Sequence, residues 1–543
     1  MAQGADVQLM NLVPIPRSGI GVVFIVMIFV ISAFGALIFH ASDLAFSEVL
    51  QDDYYLHMTW FSFYQAGLST LLSVIPALPV AVALNRRQFP GRQLLLKLFS
   101  VTLVMPVLVG VFGLLAIYGH SGLAAKIYQF SGLEFSFSVY GLNGILLAHV
   151  FFNLPYASRL FLHVLDMIPP QHDQLALHLG MGAWSRFRLI EWPRLRQQLP
   201  HIAGLVFMLC FTSFATVMAL GGGPQATTIE LGIYQAIKFD FDLQSGAVLA
   251  IWQVLLCSTL SYGVQRMSRT IPVRTSGSFS REFVFRDSLS SRLWDWSWIT
   301  LCLLLVLPPL VMVCLSGLNA HLSGVLFSLS FWSAVKDSVC VAFIAAGLSV
   351  IAGICVLMSS RAWRLRGSLR SADLLETSGM MILVTPGIVL STGLFLLLRT
   401  FTDAFHFAFG VVVLVNAMMA LPYVIKTLHQ PMWTMARQYN LLCASLGMNG
   451  WRRFLIVEWR AIRKPVVHAF VISFLVSMGD LSAIALFGSQ DFKTLPLYLY
   501  QLMGSYQMEA AAVVALFLLL MSVGCFWGAE KLFRTGGKSI VKA

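Results

Sequence analysis

The stretch QLALHLGMGAWSRFRLIEWP, at residues 174–193, returns as LLCASLGMNGWRRFLIVEWR at residues 441–460. The two copies align without gaps. Their shared residues include Gly180 and Gly447, Met181 and Met448, Trp184 and Trp451, Arg186 and Arg453, Phe187 and Phe454, Glu191 and Glu458, and Trp192 and Trp459. A pattern that recurs in both parts of a chain indicates an internal repeat. The chain is therefore predicted to consist of two related halves.

Shorter matches on either side extend the repeat over most of the chain. They are LSVI at Leu72–Ile75 and at Leu348–Ile351, Pro106 and Gly113 with Pro386 and Gly393, Pro155–Tyr156 with Pro422–Tyr423, and Tyr234–Gln235 with Tyr500–Gln501. These matches assign residues 1–265 to the first half and residues 297–543 to the second. The polar stretch between them, residues 266–296, is predicted to be a cytoplasmic linker.

The composition requires a membrane as solvent. Of the 543 residues, 58% are hydrophobic and only 11% are charged, which is more apolar surface than a soluble protein can cover. A helix needs about 20 apolar residues to cross the hydrocarbon core. Twelve such spans are predicted, at residues 18–40, 60–84, 96–118, 140–165, 201–221, 245–264, 297–318, 333–358, 376–399, 406–428, 468–488 and 510–528. The predicted fold class is an all-α polytopic membrane protein of two tandem six-helix halves.

An even number of spans separates the matched segments, so the two halves are predicted to face the same way. Parallel repeats of this kind in transporters are related by a pseudo-twofold axis normal to the membrane, with the path between them. The two matched stretches lie between the fourth and fifth spans of each half. They belong to loops at about residues 166–200 and 431–467.

Lysine and arginine set the orientation, because cytoplasmic loops carry an excess of both. With the N-terminus inside, only five of the 36 lie on the outer side: Lys126, Lys238, Lys336, Arg399 and Lys493. Both termini and both matched loops are therefore predicted to be cytoplasmic. The net charge of +12 is scattered over many loops, so it gives no basis for nucleic-acid binding.

Each matched loop has apolar side chains among polar ones, as at Leu175, Leu179 and Phe187, which predicts short amphipathic helices. Gly180 would allow a turn between two such helices. A helix of this kind can insert apolar side chains into a groove of another protein. It could instead rest on lipid headgroups, but lipid gives no reason for glycine and glutamate to recur at fixed spacing.

Motifs for covalent chemistry are absent from the sequence. There is no GxxxxGK[ST] phosphate loop and no HExxH zinc motif. The eight cysteines form no CxxC pair, so neither a disulfide framework nor a zinc site is implied. The chain is predicted not to be an enzyme and to need no cofactor or metal ion.

Polar side chains inside spans are candidates for a translocation path, because a charge at mid-bilayer costs about 2.5–3.5 kcal/mol on insertion scales. The candidates are Asp480, Asn153 and Asn416. The carboxylate of Asp480 would suit a cationic substrate, or it would cap a helix that restarts after Gly479. Kinks that open room along the path are predicted at Pro106, Pro155, Pro386 and Pro422.

The matched loops resemble the signature loop of the inner-membrane permeases of bacterial binding-protein-dependent ABC importers. That signature reads EAA, three residues, Gly, nine residues, I, one residue, LP. In the first loop the corresponding residues are Gln174, Leu175 and Ala176, then Gly180, then Ile190, Trp192 and Pro193. In the second they are Leu441, Leu442 and Cys443, then Gly447, then Val457, Trp459 and Arg460. Neither copy begins with glutamate, and the second lacks the proline.

In this family the signature loop is the coupling helix that docks on an ATPase subunit. The resemblance implies this role for Gln174, Leu175, Ala176, Gly180, Met181, Trp184, Arg186, Phe187, Glu191, Leu442, Cys443, Gly447, Met448, Trp451, Arg453, Phe454 and Glu458. Two loops imply two copies of a cytoplasmic ATPase. The family also implies alternating access in the bacterial inner membrane, with a periplasmic binding protein that delivers the substrate.

Fused double permeases with this loop are typical of the ferric-iron and thiamine importers. The stretches at residues 61–81, 148–162 and 221–242 look most like those of thiamine permeases. The resemblance thus implies thiamine or its phosphate esters as the substrate, with ferric iron as the alternative.

Two other classes of protein stay open from the residues alone. A gradient-driven secondary transporter also often has twelve spans in two parallel halves. It would predict relays of buried acids or histidines, and it gives no reason for two matched loops. A membrane-embedded enzyme would need a catalytic constellation, which the sequence does not show.

Overall fold

The computed structural model describes residues 16–41, 51–132, 136–267, 288–401, 404–448 and 450–535. Within these segments the chain is almost entirely helical and has no β-strand. Both predicted cytoplasmic termini and residues 268–287 of the predicted linker lie outside the described part. The end of that linker is helical, because a helix begins at Leu289.

The described residues of the first half form a series of helices joined by short turns. They are α1 (Ser18–His40), α2 (Asp53–Arg86), α3 (Arg92–Val104), α4 (Val107–Tyr118), α5 (Leu123–Phe130), α6 (Leu142–Asp166), α7 (Pro170–His178), α8 (Ala183–Arg186), α9 (Trp192–Phe211), α10 (Phe214–Leu220), α11 (Ile229–Lys238) and α12 (Leu243–Met267). A π-helical turn, Phe187–Glu191, joins α8 to α9.

The described residues of the second half form a matching series. They are α13 (Leu289–Gly317), α14 (Leu322–Leu326), α15 (Leu329–Leu365), α16 (Leu369–Met380), α17 (Gly387–Phe401), α18 (Ala408–Ser445), α19 (Gly450–Arg453), α20 (Trp459–Gly479), α21 (Ser482–Phe487), α22 (Leu495–Gly504) and α23 (Met508–Thr535). A second π-helical turn, Phe454–Glu458, joins α19 to α20.

Ten helical segments of the described chain are long and apolar enough to cross a membrane, and each corresponds to a predicted span. The fifth predicted span is a pair of helices, α9 and α10, which bend by 51° at a short break. The ninth is interrupted as well, and its apolar part is the 15-residue α17. The twelve predicted spans are therefore all helical, although several are broken rather than continuous.

Proline interrupts two spans more severely than a kink. Pro106 separates α3 from α4, and Pro386 lies immediately before α17. Proline lacks an N–H group and holds the preceding residue in an extended conformation, so a helix ends before it. Pro155 and Pro422 lie inside the unbroken helices α6 and α18.

The described residues divide into two compact units that do not coincide with the two sequence halves. One unit contains the described parts of Met1–Val49, Ile233–Val254 and Ala320–Ala543, and the other those of Leu50–Gly232 and Leu255–Asn319. In the first unit, α1 packs on α15, α16 and α17. In the second, α13 packs on α2, α3, α4 and α6. Each half therefore gives its first helix to the unit formed mainly by the other half.

A glycine allows each of these first helices, α1 and α13, to approach a neighbouring helix closely. A Cβ added at Gly113 in α4 would lie 2.6 Å from the carbonyl oxygen of Pro309 in α13. A Cβ added at Gly393 in α17 would lie 2.6 Å from the carbonyl oxygen of Ala33 in α1. Small residues permit such backbone contacts between membrane helices. Because the two glycines match in the sequence repeat, this contact is repeated in both units.

A serine in the second span of each half repeats another contact. The buried Ser62 Oγ accepts a hydrogen bond of 3.1 Å from the N–H of Ile229, the first residue of α11. The buried Ser338 Oγ accepts one of 2.6 Å from the N–H of Leu495, the first residue of α22. Each serine satisfies an N–H group that a helix start leaves without a partner. The repeat is therefore present in buried contacts as well as in sequence.

Candidate functional site

The two matched loops fold into the same order of elements. The first runs from α7 through Gly180 into α8 and its π-helical turn, and continues as α9. The second runs from the end of α18 through Gly447 into α19 and its π-helical turn, and continues as α20. They differ at their starts, since α6 ends at Asp166 before α7 begins, whereas α18 is continuous. A turn at the glycine is present in both loops, but a separate short helix precedes it only in the first loop.

The glycines have a backbone function in both loops. Gly180 and Gly447 both have φ of +62°, a conformation that favours glycine because it has no Cβ. The N–H of Met181 bonds the carbonyl of Ala176 at 3.0 Å, and the N–H of Met448 bonds that of Cys443 at 2.9 Å. These contacts are the helix ending known as the Schellman motif.

The first loop exposes an apolar surface that we name the first loop face. It consists of Leu175, Leu179, Trp184 and Leu189, which are 59–71% exposed. Ala176, between two of them, is fully buried, so the loop has one side packed on the protein and one side open. Exposed large apolar side chains close together in the sequence are candidates for contact with another protein or with the membrane.

The second loop exposes a similar surface, which we name the second loop face. It consists of Leu442, Leu446, Leu455, Ile456 and Trp459, which are 40–64% exposed. Cys443, at the position of Ala176, is again buried. The side chain of Trp451 lies outside the described part. The two loops therefore share three exposed apolar positions and one buried position: Leu175 and Leu442, Leu179 and Leu446, Leu189 and Ile456, and the buried Ala176 and Cys443.

Glu191 is buried in an ion pair within the permease. Arg86, the last residue of α2, reaches both carboxylate oxygens, with its Nη2 at 2.7 Å from Oε2 and its Nε at 3.3 Å from Oε1. Arg186 Nε donates to Oε1 at 2.9 Å. The side chains of Arg86 and Glu191 are only 7% and 3% exposed, so this carboxylate is not on the first loop face.

Glu458 has the same environment in the second loop. Arg361, near the end of α15, donates from Nη2 to Oε2 at 2.7 Å. Arg453 Nε donates to Oε1 at 2.9 Å, and its Nη1 donates to Asn440 Oδ1 at 3.0 Å. One glutamate therefore joins two arginines in each loop, one arginine from the loop and one from a span.

The structure sorts the residues that the signature loop predicted into three groups. The exposed ones are Gln174, Leu175, Gly180, Trp184, Leu442 and Gly447. The half-buried ones are Met181, Phe187, Met448 and Arg453. The buried ones are Ala176, Arg186, Glu191, Cys443, Phe454 and Glu458. Only the first two groups can touch another protein without a rearrangement of the loop.

Comparison of the two sequence halves did not identify Arg86 and Arg361, the arginines that the second span of each half contributes to these ion pairs. Arg86 and Arg361 do not align under the offset that relates Leu72 to Leu348, because one of them is shifted by a residue. A search for any arginine at the C-terminal end of the second span of each half would have found both. The exposed Leu179 and Leu446 also match in the repeat, but the family signature gives them no assigned role.

Asp480 caps the restart of the eleventh span. Its Oδ1 accepts from the backbone N–H of Ser482 at 3.3 Å and from the Ser482 hydroxyl at 2.7 Å. Its Oδ2 accepts from the N–H of Ala483 at 3.2 Å. Both oxygens serve the first turn of α21, as an N-cap residue does. Of the two interpretations of Asp480, these contacts favour the cap.

Near the break in the fifth span lies a buried carboxylate, Glu230, that the sequence did not single out. The break before α10 falls at Thr212 and Ser213, neither of which is acidic. Glu230, near the start of α11, is almost completely buried and lies near the backbone of Phe214. A carboxylate from another helix therefore lies beside the start of α10.

The two predicted amides also contact the broken spans. Asn153 Nδ2 lies 3.3 Å from Cys210 Sγ in α9. Asn416 Nδ2 donates to Ser477 O at 3.2 Å and to Ser477 Oγ at 2.9 Å in α20. Each amide holds the segment just before a helix break. Among the described residues, no group of three His, Cys, Asp or Glu side chains could hold a metal ion.

Comparison with known proteins assigns the family. The profile of the binding-protein-dependent transport system inner membrane component matches the chain twice, over residues 69–269 and 362–533. The chain belongs to this family. Each match includes one of the two loops, which agrees with a tandem duplication and confirms the resemblance drawn from the loops. A member of this family with this many apolar helices is a multi-pass protein of the inner membrane.

Several relatives of this family are similar over nearly the whole chain. The thiamine transport system permease protein ThiP of Escherichia coli (strain K12) is 48% identical over 517 residues, covering 95% of this chain and 96% of that protein. The protein of the same name from Brucella abortus (strain 2308) is 41% identical over 482 residues, 88% of each. That from Haemophilus influenzae is 39% identical over 505 residues, 93% of each. These relatives are transport permeases, not enzymes.

Proposed function

We propose that this chain is the permease of an ATP-driven importer that carries thiamine or its phosphate esters into the cytoplasm by alternating access. The first and second loop faces each dock on one copy of a cytoplasmic ATPase. The observation that carries the proposal is the recurrence of one exposed apolar surface, on one backbone, in both halves. The sequence has no phosphate loop of its own, so the ATPase is a separate protein.

The loop faces have the chemistry of a docking surface. Full burial of one leucine side chain contributes about 1.5–3 kcal/mol, and buried tryptophan is enriched among the residues that dominate interfaces. Leu175, Leu179 and Trp184 are therefore the strongest contacts that we assign to the first loop. Leu442 and Leu446 take the same part in the second. The buried members of the signature maintain the shape of the loop.

Docking on a cytoplasmic ATPase requires both loops on the inner side of the membrane. The distribution of lysine and arginine supports this orientation, in which both termini lie in the cytoplasm. A periplasmic binding protein then delivers substrate to the opposite side. Closure of the ATPase dimer would displace the loops and, through them, the spans that continue from each loop, α9 and α20.

Thiamine is supported as the substrate by relatives of 39–49% identity that carry the name of thiamine transport permeases. Thiamine has a permanently charged thiazolium ring. Asp480, Asn153 and Asn416 are proposed to shape the path by fixing the broken spans. The capping contacts of Asp480 make direct neutralisation of the cation the weaker assignment.

Reconstitution tests this function. The purified chain is placed in proteoliposomes with the ATPase and binding protein of the same importer, and uptake of radiolabelled thiamine is measured with and without ATP. We expect uptake that requires ATP, the ATPase and the binding protein. A phosphate-loop lysine variant of the ATPase serves as the matched control and should abolish uptake.

Three results would redirect the proposal. Uptake driven by a proton or sodium gradient without ATP would assign the chain to secondary transport. ATP-driven uptake of ferric iron in place of thiamine would keep the mechanism and change the substrate. Absence of ATP-driven uptake of either substrate in the complete assembly would contradict the proposal as a whole.

A further inference from the structure

We infer that Glu191 and Glu458 fasten each loop to the inner end of a span, so that loop and span move together during transport. The inference rests on the proposed function and assigns a different part to these residues than contact with the ATPase. They act with Arg86 and Arg361 as positioning residues. We name the group of Arg86, Arg186 and Glu191 the first joint, and the group of Arg361, Arg453 and Glu458 the second joint.

The first joint connects three segments of chain. The Arg86 guanidinium at the end of α2 takes both oxygens of Glu191, a bidentate pair that fixes geometry as well as charge. Its Nη2 also donates to the carbonyl of Ala183 at 3.1 Å. The same group therefore holds both the start of α8 and the end of the π-helical turn. Arg186 completes the set from within the loop.

The π-helical turn explains why the loop arginine reaches the glutamate. Arg186 and Glu191 are five residues apart, and at the α-helical rotation of about 100° per residue they would point to different faces. A π-helical turn closes hydrogen bonds between residues five apart. The N–H of Trp192 bonds the carbonyl of Phe187 in this manner. The wider turn thus aligns Arg186 with Glu191, and the corresponding turn aligns Arg453 with Glu458.

Burial makes the joints hard to separate. The arginine side chains of the two span ends are 7% and 11% exposed, and the glutamates are 3% and 4% exposed. Separating such a pair leaves a charge in a poorly solvated site, which is strongly unfavourable. When the ATPase moves a loop, the joint should therefore stay closed and carry the end of α2 or α15 with it.

The chain offers a matched control for ordinary ion-pair stability. Arg87, next to Arg86, pairs with Asp295 of α13 at 2.6 Å, and these side chains are 14% and 2% exposed. This pair is nearly as buried as the first joint, but it ties α13 rather than a loop. If buried ion pairs served stability alone, Asp295→Asn and Glu191→Gln should behave alike.

The first experiment measures thiamine uptake per ATP hydrolysed in the reconstituted assembly. Glu191→Gln and Glu458→Gln should each retain the bound ATPase but lose most of the uptake per ATP hydrolysed. Asp295→Asn should keep the wild-type ratio. The double variant Arg86→Glu with Glu191→Arg keeps one carboxylate among two guanidinium groups, and it should regain at least part of the ratio.

The second experiment tests the joints without a transport measurement. Hydrogen exchange on the permease alone, in lipid nanodiscs, should show faster exchange over residues 183–192 in Glu191→Gln, by about tenfold if local opening becomes easier by about 1.4 kcal/mol. Asp295→Asn should leave these amides unchanged. The inference that the joints make loop and span move together would be wrong if Glu191→Gln left hydrogen exchange unchanged. It would also be wrong if the variant lost retained ATPase and uptake by the same factor. If the wild-type assembly shows no uptake, the proposed function is wrong. The hydrogen-exchange measurement would still test whether the joints hold the loops.

Discussion

From the glycine onward, the loop between the fourth and fifth spans has the same order of elements in both halves, whereas the two broken spans that follow the loops restart in different surroundings. Both loops repeat a glycine at φ of +62°, a π-helical turn and a glutamate between two arginines. At the breaks, Asp480 caps α21 from its own segment, whereas the carboxylate beside the start of α10 is Glu230 of α11.

The difference fits what each region is proposed to meet. Two copies of one ATPase present the same surface twice, so the two loops must keep the same shape. A small substrate such as thiamine has no twofold symmetry, so the spans along its path need not match. Lys238 illustrates this freedom, since its Nζ lies 3.2 Å from Leu486 O and 3.3 Å from Gly488 O. Its counterpart at the end of α22 is Gly504.

The largest effect is expected from charge on the loop faces. Leu179→Asp and Leu446→Asp place a carboxylate where an apolar contact is proposed, and each should weaken ATPase binding at its own loop about tenfold or more. The two variants should act alike, because the two positions are equally exposed. ATPase retained on the purified permease is the measurement.

A polar position on the same loop supplies the control for these variants. Ser185→Asp adds the same charge to the exposed part of α8 and should leave ATPase retention near wild type. Full retention in the double variant Leu179→Asp with Leu446→Asp would show that the loop faces are not the docking surface.

The next effect tests the repeated glycine contacts. Gly113→Ala and Gly393→Ala each insert a methyl group against a backbone carbonyl, and such overpacking typically costs about 1–3 kcal/mol. Both should lower the unfolding temperature in detergent by similar amounts. Gly35→Ala and Gly67→Ala, which meet nothing within 4 Å, are the controls and should not. Equal unfolding temperatures in all four would contradict the close helix contacts.

A smaller effect is expected at the loop turns. Gly180→Ala and Gly447→Ala force an L-residue into a left-handed conformation, which costs roughly 1–2 kcal/mol. Gly182→Ala lies nearby with φ of −71° and open space around it, so it should be neutral. Hydrogen exchange of each loop and ATPase retention measure the result. A loss at one glycine only would show that the two loops do not share one role.

The smallest effects are expected at the two carboxylates near the helix breaks, Asp480 and Glu230. Asp480→Ala removes a helix cap and should destabilise the protein by about 1 kcal/mol. Asp480→Asn keeps an accepting oxygen and should retain both stability and thiamine uptake. If Asp480→Asn keeps its unfolding temperature but loses uptake, the charge itself is needed by the cationic substrate. Glu230→Gln gives the same comparison in the first half.

Apolar runs and the repeat were enough to predict the spans and the two loops, because both follow from local sequence. The exchange of α1 and α13 could not be predicted, since hydropathy does not say which neighbour a membrane helix packs against. The repeat singled out Glu191 and Glu458 as loop residues. Their burial was missed because it depends on Arg86 and Arg361, which are distant in sequence.

The central claim is that one chain holds two ATPase subunits through two equivalent loops. Native mass spectrometry of the assembly purified from membranes counts those subunits directly. We expect two ATPase copies on the wild-type permease and one on either Leu179→Asp or Leu446→Asp. A wild-type assembly with one copy or none, or two copies retained on both variants, would contradict the account.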